Sequence, residues 1–371
     1  MSTEPLPTEL VSILTPTFNA AATIKETLAS AQAQSHVDIE IIVVDDGSRD
    51  DTLKIIEAAA RQDPRIRLLC QPNAGVAAAR NAALAAARGQ LIAPLDADDL
   101  WHPDKIRRQL RRLWQAGLHA GVVYCWSTDI DWNSRIVQHR LDLDRYDGDV
   151  FPALVLTNFL ANASVPLIRR ADLEAVGGWD TSLRARGAQG CEDWQLYLRL
   201  ADRCAFALEP AFLVGYRQGR GTMSRDVAQM WRSYRLVLDE ARRARPELPG
   251  FLFRWSAAAF AFYAFELRWK YGHHLRSLPS FAAGLLRDPI WLARHSSWTK
   301  LTWGFQRLLY RAGHGRAEAT TTAEPPFPIG RFFHELPPNV EWEVTEGRTV
   351  AQRRKLVQSL GRARSGAQQS P

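Results

Sequence analysis

Short apolar runs alternate with alanine-rich helical patterns through the first hundred residues. This alternation restricts the fold more than any other feature of the 371-residue chain. Residues 10–14 read as a strand, and 23–34 as a helix opened by a Thr23 cap with Glu26 three residues on, the pattern of a capping box. Residues 40–44 read as a second strand, 52–61 as a helix, 66–70 as a third strand, 76–88 as a helix and 91–95 as a fourth strand. Strands that are almost wholly apolar and separated by single helices imply a parallel sheet covered on both faces. The expectation is therefore an α/β fold with a mainly parallel central sheet, whose ligands bind beyond the carboxyl ends of the strands.

The middle of the chain mixes helices with strands expected at 122–126, 164–169 and 212–217. From Val227 the pattern turns helical and rich in aromatics and arginine. Residues 317–338 break into Thr, Pro and Gly, and the last thirty read as a polar, basic, frayed tail. The organisation expected is an N-terminal tail at 1–9, a catalytic domain at 10–226, a helical region at 227–316 and an extended linker and basic tail at 317–371. Residues 1–9 lack the basic and apolar regions of a secretory signal. The longest strongly apolar stretch, 255–265, is shorter than the roughly 18 to 20 residues a membrane-spanning helix needs.

Charge is unevenly spread. The net charge is +7, yet residues 233–371 carry 21 Lys and Arg against 11 Asp and Glu, and the preceding part 26 against 29. A basic C-terminal part suits anionic lipid or a polyanionic acceptor, and equally a solvated basic surface. Cys70, Cys125, Cys191 and Cys204 contain no C-x-x-C pair, so they read as reduced thiols in a cytoplasmic protein rather than a zinc site or disulfide framework.

Three expected strands end in polar or acidic residues: Thr15-Pro16-Thr17-Phe18-Asn19, Val44-Asp45-Asp46-Gly47-Ser48 and Leu95-Asp96-Ala97-Asp98-Asp99. One such end is ordinary turn chemistry, whereas three converging on one sheet edge form a candidate site. The Asp96-x-Asp98 spacing can hold one hard cation and a ribose hydroxyl. Mg²⁺ or Mn²⁺ takes one or two protein carboxylates and completes its shell with phosphate oxygens and water. The plainer alternative is that Asp98 and Asp99 cap a helix starting near Pro103. Glu192-Asp193-Trp194 opens an amphipathic helix at 194–201, where a carboxylate is also explained by the helix dipole.

Taken in order, these segments resemble the family 2 glycosyltransferases, whose catalytic domain has the GT-A fold. The resemblance runs from about Ser12 to Asp226. Besides the three strand ends it includes Asn73-x-Gly75 leading into Ala79-Arg80-Asn81, then Val176-Gly177-Gly178-Trp179-Asp180 and Glu192-Asp193-Trp194. It implies an inverting transfer of sugar from a nucleotide diphosphate donor, usually a UDP-sugar, to an acceptor hydroxyl, with Mg²⁺ or Mn²⁺ as cofactor. Pro16, Thr17 and one of Asp45 and Asp46 would contact the base. Asn73 and Arg80 would lie near the nucleotide and its phosphates. Asp96 would reach the ribose, Asp98 would bind the metal and Asp99 would support that loop. Asp193 would be the general base, Glu192 would bind donor sugar or acceptor, and Trp194 would help wall the acceptor site.

Gly177-Gly178-Trp179-Asp180 reads as a tight turn positioning the loop before the base. Tyr216-Arg217 and Gly221-Thr-Met-Ser224 resemble the segment closing the family's catalytic domain, with Arg217 in a structural ion pair or on the diphosphate or acceptor. The absence of a Gln-x-x-Arg-Trp segment disfavours a processive polymerase that extrudes its product. No P-loop or G-x-G-x-x-G follows the first strand, against nucleotidyl transfer. A non-catalytic sugar-nucleotide-binding or scaffolding descendant stands as the alternative, opposed by intact Asp96, Asp98 and Asp193. The partners expected are a nucleotide sugar, a saccharide, lipid-linked glycan or protein acceptor, and peripheral contact with the inner face of the membrane. Nucleic acid is excluded, because the basic excess lies outside the motif-bearing region.

Overall fold

The computed structural model describes residues 9–138, 145–218, 226–289 and 348–367. β1 (Val11–Thr17), β2 (Ile39–Asp45), β3 (Ile66–Cys70) and β4 (Leu91–Pro94) alternate with α1 (Ile24–Gln32), α2 (Thr52–Gln62) and α3 (Val76–Ala86). Every residue of β1 and β2 is buried, which is why both read as largely apolar runs rather than alternating ones, with Ser12 donating to Glu40 between them at 2.7 Å. β1 runs to Thr17 because β2 stays paired with it as far as Asp45, whereas β4 leaves after Leu14. The Leu14 carbonyl faces β4 and the Thr17 carbonyl faces β2, accepting from Leu95 and Asp46 respectively. Pro16, one residue from Thr17 and two from Leu14, therefore lacks its N–H on the side β4 has vacated, where no ladder bond is lost.

The sheet order is β3-β2-β1-β4-β8-β6-β9-β5, with β7 (Ile136–Gln138) paired to β6. β1 to β4 are parallel. β8 (Leu167–Arg169) is antiparallel to both β4 and β6. β6 (Ala120–Ile130) then runs parallel to β9 (Ala205–Arg217), with register shifts near Cys125 and Trp126, and β5 (Leu100–Trp101) closes the edge. β6 and β9 are longer than their sequence patterns indicate, because each supplies the other's ladder partner from far along the chain. β8 is shorter than expected at its start, because Ser164 is diverted to hold the 96–99 loop.

Around the second half of the sheet lie α4 (Lys105–Ala116), α5 (Phe151–Leu156), α6 (Arg170–Ala175), α7 (Ser182–Ala185) and α8 (Glu192–Arg203). Then come α9 (Val227–Ala244), α10 (Gly250–Lys270) and α11 (His274–Arg287). Asp226 caps α9 by accepting from the N–H groups of Ala228 and Gln229, both at 3.0 Å. No described helix is long and apolar enough to cross a membrane.

Two expectations change. The capping box of α1 does not form. The Thr23 hydroxyl donates to the Ala97 carbonyl at 2.9 Å, while the Glu26 carboxylate accepts from Ser134 at 2.7 Å and Arg217 at 2.9 Å. Tertiary partners outcompete the local pair because they also anchor the loop after β4. In the range expected as a frayed tail, residues Arg348–Ala367 form a helix, α12, whose Val357 is buried and whose Arg353 bonds both oxygens of Asp288. Residues 317–338, the Gly221–Ser224 segment, Trp291 and Trp303 lie outside the described residues.

Ile13 lies fully buried in the β1 core. Ile13→Ala should lower the unfolding free energy by about 2–5 kcal/mol, through lost transfer energy plus an unfilled cavity. A urea titration with a lower midpoint and an unchanged slope is the expected result.

Candidate active site

The carboxyl ends of β1, β2 and β4 open on one edge, and α3 brings a buried cation up to it. Alanines make α3 narrow, and Ala77, Ala79 and Ala83 are buried against the sheet with Arg80 among them. Arg80 is 2% exposed, so it is not a solvated arginine on an outer helix face. Its two terminal nitrogens donate to Asp96 at 2.5 Å and to Asp193 at 2.6 Å. A buried guanidinium is tolerable only when paired in this way. Both carboxylates hold it firmly in the charged form.

Asp193 sits in the first turn of α8. Its Oδ1 accepts from Arg80 and, at 3.3 Å, from the Trp179 indole N–H. No described donor reaches its Oδ2, and the side chain remains 25% exposed. Burial, only partly offset by Arg80, pushes the Asp193 carboxyl up to about 6. Trp179 is itself clamped, since its N–H and C=O bond the Asn81 amide at 2.9 and 2.7 Å. Gly178 permits that clamp: its φ is +66°, and a Cβ there would lie 2.6 Å from Asn81 Oδ1. Asn81 follows Arg80 on α3, so one helix sets both supports of Asp193.

The 96–99 loop is fixed through its backbone. Thr27 Oγ1 lies 3.0 Å from the carbonyls of both Ala97 and Asp99, and Arg217 Nε donates to the Asp98 carbonyl at 2.7 Å. The Asp96 N–H donates to Ser164 Oγ at 3.0 Å, and that hydroxyl donates to Asp99 at 2.6 Å. Asp99 thus turns inward, fully buried, and is held well above the usual carboxylate range by burial and by its acidic neighbours. The helix-capping alternative for Asp98 and Asp99 is not adopted, because α4 starts at Lys105 and its cap is Asp104. Arg217 is 1% exposed and bonded to Asp98, Asp131, Glu26 and Ser134, so it acts as a strut.

Asp98 is different. No described side chain donates to its carboxylate, and burial together with the Asp96 charge pushes it up to about 6. An uncompensated carboxylate beside another fits a hard divalent cation held through oxygen. Among the described residues no three acidic, His or Cys side chains gather to hold a metal alone.

Thr17 and Asp45 are register partners at the ends of β1 and β2. Thr17 Oγ1, Asp45 Oδ1 and Arg80 Nε are buried without partners, unsatisfied groups of the kind that call for a ligand or water. Asp46 instead ties two loops together. Its Oδ1 accepts from Gln71 at 2.7 Å and Ala74 N–H at 2.8 Å, and its Oδ2 from Gly75 N–H at 2.8 Å. Asn73 is exposed, donates to the Asp46 carbonyl at 2.9 Å and accepts from Arg184 at 2.8 Å. Gly75 adopts φ +95°, a backbone conformation that favours glycine.

Glu192 is 5% exposed and accepts from its own loop at Gly190 N–H, 2.7 Å. It lines a small cleft with Gly75, Asp180 and Arg184. Trp194 is not brought to the open side. It is 6% exposed, donates to the Leu154 carbonyl at 2.7 Å and stacks on Tyr234 at 5.6 Å. Packing of α9 on α8 claims the indole expected to wall an acceptor. The supports that sequence reasoning missed are Ser164 and Thr27, which carry no local signal, and Glu26, whose spacing from Thr23 pointed to a capping box instead. Trp179 carried one, in the two glycines before it.

Residues 12–164 match the Glycosyl transferase family 2 profile. The chain is 33% identical over 251 residues to the succinoglycan biosynthesis protein ExoO of Rhizobium meliloti, covering 65% of this chain and 70% of that protein. The chain belongs to glycosyltransferase family 2. It is also 44% identical over 102 residues to the putative teichuronic acid biosynthesis glycosyltransferase TuaG of Bacillus subtilis, 27% of this chain and 40% of that one. A match to the chondroitin synthase of Pasteurella multocida, 41% identical over 102 residues, covers 28% of this family 2 chain and only 11% of the synthase. Among solved structures, the mannosyltransferase PcManGT of Pyrobaculum calidifontis aligns with 82% of this chain and 88% of its own, at TM-score 0.48 and 20% identity. The α/β sheet with its helical C-terminal region is the GT-A architecture of the family.

Ser164→Ala should cost about 1–3 kcal/mol, because buried Asp99 loses a donor and the Asp96 N–H loses an acceptor. Guanidinium unfolding should report it as a lower midpoint.

Proposed function

We propose that this glycosyltransferase moves a sugar from a UDP-sugar to a saccharide hydroxyl with inversion, in a single displacement. The observation that carries the reading is the placement of Asp193. One oxygen is held by Arg80 and Trp179, the other is unengaged, and the same Arg80 reaches Asp96. A general base needs one free oxygen and a fixed orientation, and this arrangement supplies both.

In this reading Asp193 Oδ2 accepts the proton of the acceptor hydroxyl as its oxygen attacks the anomeric carbon. The bond from that carbon to the diphosphate breaks, and the nucleoside diphosphate departs on the opposite side. No covalent sugar–enzyme intermediate forms. Pro16, Thr17 and the Asp45–Asp46 pair border the base, Asn73 and Arg80 the nucleotide and phosphates, and Asp96 the ribose. Asp98 would hold Mg²⁺ or Mn²⁺, which supplies neutralisation of the charge growing on the diphosphate. Glu192 orients donor sugar or acceptor at the neighbouring cleft. The names of the relatives, succinoglycan and teichuronic acid biosynthesis, support an acceptor in a cell-surface polysaccharide. Four free thiols support a reducing, cytoplasmic setting. A non-catalytic descendant is disfavoured, because the candidate base and metal ligand are intact and Arg80 ties the base to Asp96.

Calorimetric titration with UDP should show binding that strengthens with Mn²⁺ and loses that dependence in Asp98→Ala. No binding of UDP, GDP or dTDP would sink the site assignment. A second outcome follows from the raised Asp193 carboxyl, which must be ionised to act. kcat/KM should fall as pH drops through about 6 and be flat just above. Trp179→Phe removes a donor that stabilises the anion, so the acid limb should move to higher pH. An unmoved limb would argue against Asp193 as the base.

A further inference from the structure

α11 folds back on α10 through one side only. Phe281 packs on Phe262 and Phe265, with ring centroids 6.2 and 5.0 Å apart. Gly284 lies so close to Phe262 that a Cβ there would come within 2.6 Å of its ring, and Ser277 is fully buried. At about 100° per residue, the opposite side of the helix carries Leu275, Leu278, Ala282 and Leu286. Leu275 and Leu286 are 83% and 86% exposed, and Leu278 is 49% exposed. A helix apolar on both its packed and its open faces is unusual for a surface element, since contiguous exposed apolar residues mark contact sites.

The charge around this stripe says what it meets. Arg276 and Arg287 are both exposed and, three turns apart, fall on the same margin of the stripe. α11 contains no Asp or Glu. Residues 267–289 carry four Lys and Arg against a single acid, Asp288. That acid is buried and bonded through both oxygens to Arg353, so it does not offset the surface cations. A second copy of the chain docking by two-fold symmetry would set these like charges against each other. An anionic surface has no such conflict.

We propose that the outer face of α11 rests on an anionic phospholipid bilayer. Leu275, Leu278 and Leu286 enter the boundary between headgroups and acyl chains, and Arg276 and Arg287 stay at headgroup level. The contact is independent of the transfer site and leaves its chemistry unchanged.

The test is cosedimentation of the full chain, without sugar donor, with vesicles of phosphatidylcholine alone or mixed with phosphatidylglycerol. Binding to the mixed vesicles that weakens with salt is expected, with little binding to phosphatidylcholine alone. A Leu275→Glu/Leu286→Glu double variant should bind about tenfold less or weaker still, while its melting curve and nucleotide binding stay those of the parent. An Arg276→Ala/Arg287→Ala variant should lose the dependence on phosphatidylglycerol. No sedimentation with either vesicle overturns the proposal, as does binding that the leucine variant leaves intact. A dimer broken by the leucine variant, with no vesicle binding, would assign the face to a second copy instead.

Discussion

The site depends on one buried guanidinium. Arg80 joins Asp96, which follows the parallel half of the sheet, to Asp193, which opens a helix in the second half. Removing a charge from water is costly unless it is paired, so the two carboxylates hold Arg80 in place as much as it holds them. The two halves of the domain are thereby set at a fixed spacing where donor and acceptor would meet. Alanine on either side of Arg80 lets α3 approach the sheet closely enough for this. Larger side chains would lift the helix and draw the guanidinium away from its partners.

Around that pair the structure separates carboxylates by environment. Asp99 is turned inward onto Ser164 and the Arg217 N–H, where it fixes a loop. Asp98, next to it in sequence, receives no hydrogen bond from the described side chains and, despite the Arg217 charge nearby, keeps a raised affinity for protons. A group of that kind is stabilised by any cation that reaches it. The backbone carbonyls of residues 97–99 are meanwhile tied to α1 and Arg217. The loop therefore does not need a ligand to hold its shape, and the carboxylates that face outward are already aimed.

The helical C-terminal region is joined to this machinery through aromatic packing. Trp194, one residue after Asp193, stacks on Tyr234 of α9, which stacks in turn on Trp231. Gly190, at φ +118°, leaves room for Met230 against the loop that leads into α8. Asp193 is thus supported from below by α9 as well as from the side by Trp179. Beyond α9, α11 carries Arg276 and Arg287 on its surface and no acidic residue.

The order of elements and the positions of the strand-end motifs were legible in the sequence, because fully buried parallel strands must be apolar throughout and the residues after them must be polar. Asp96, Asp98, Arg80 and Asp193 were singled out by the resemblance of their segments, in order along the chain, to the family 2 glycosyltransferases. What the sequence could not show was which polar side chains would be spent on holding others. Thr23 and Glu26 make a capping box by spacing, yet Thr23 is drawn to the loop after β4 and Glu26 to Ser134 and Arg217, because a tertiary partner that is also desolvated outweighs an exposed local one. Trp194 reads as a wall of the site and is taken by the core, because α9 offers it a stacking surface and Leu154 a carbonyl. Ser164 lies far from Asp99 along the chain and has no local pattern at all. Sequence determined the strands, the edge and the chemistry available there, since these follow from hydrophobicity and residue type. Tertiary structure alone decided which carboxylate faces inward, which oxygen of Asp193 meets no described donor and which face of α11 the described residues leave uncovered, since each depends on contacts between segments distant in the chain.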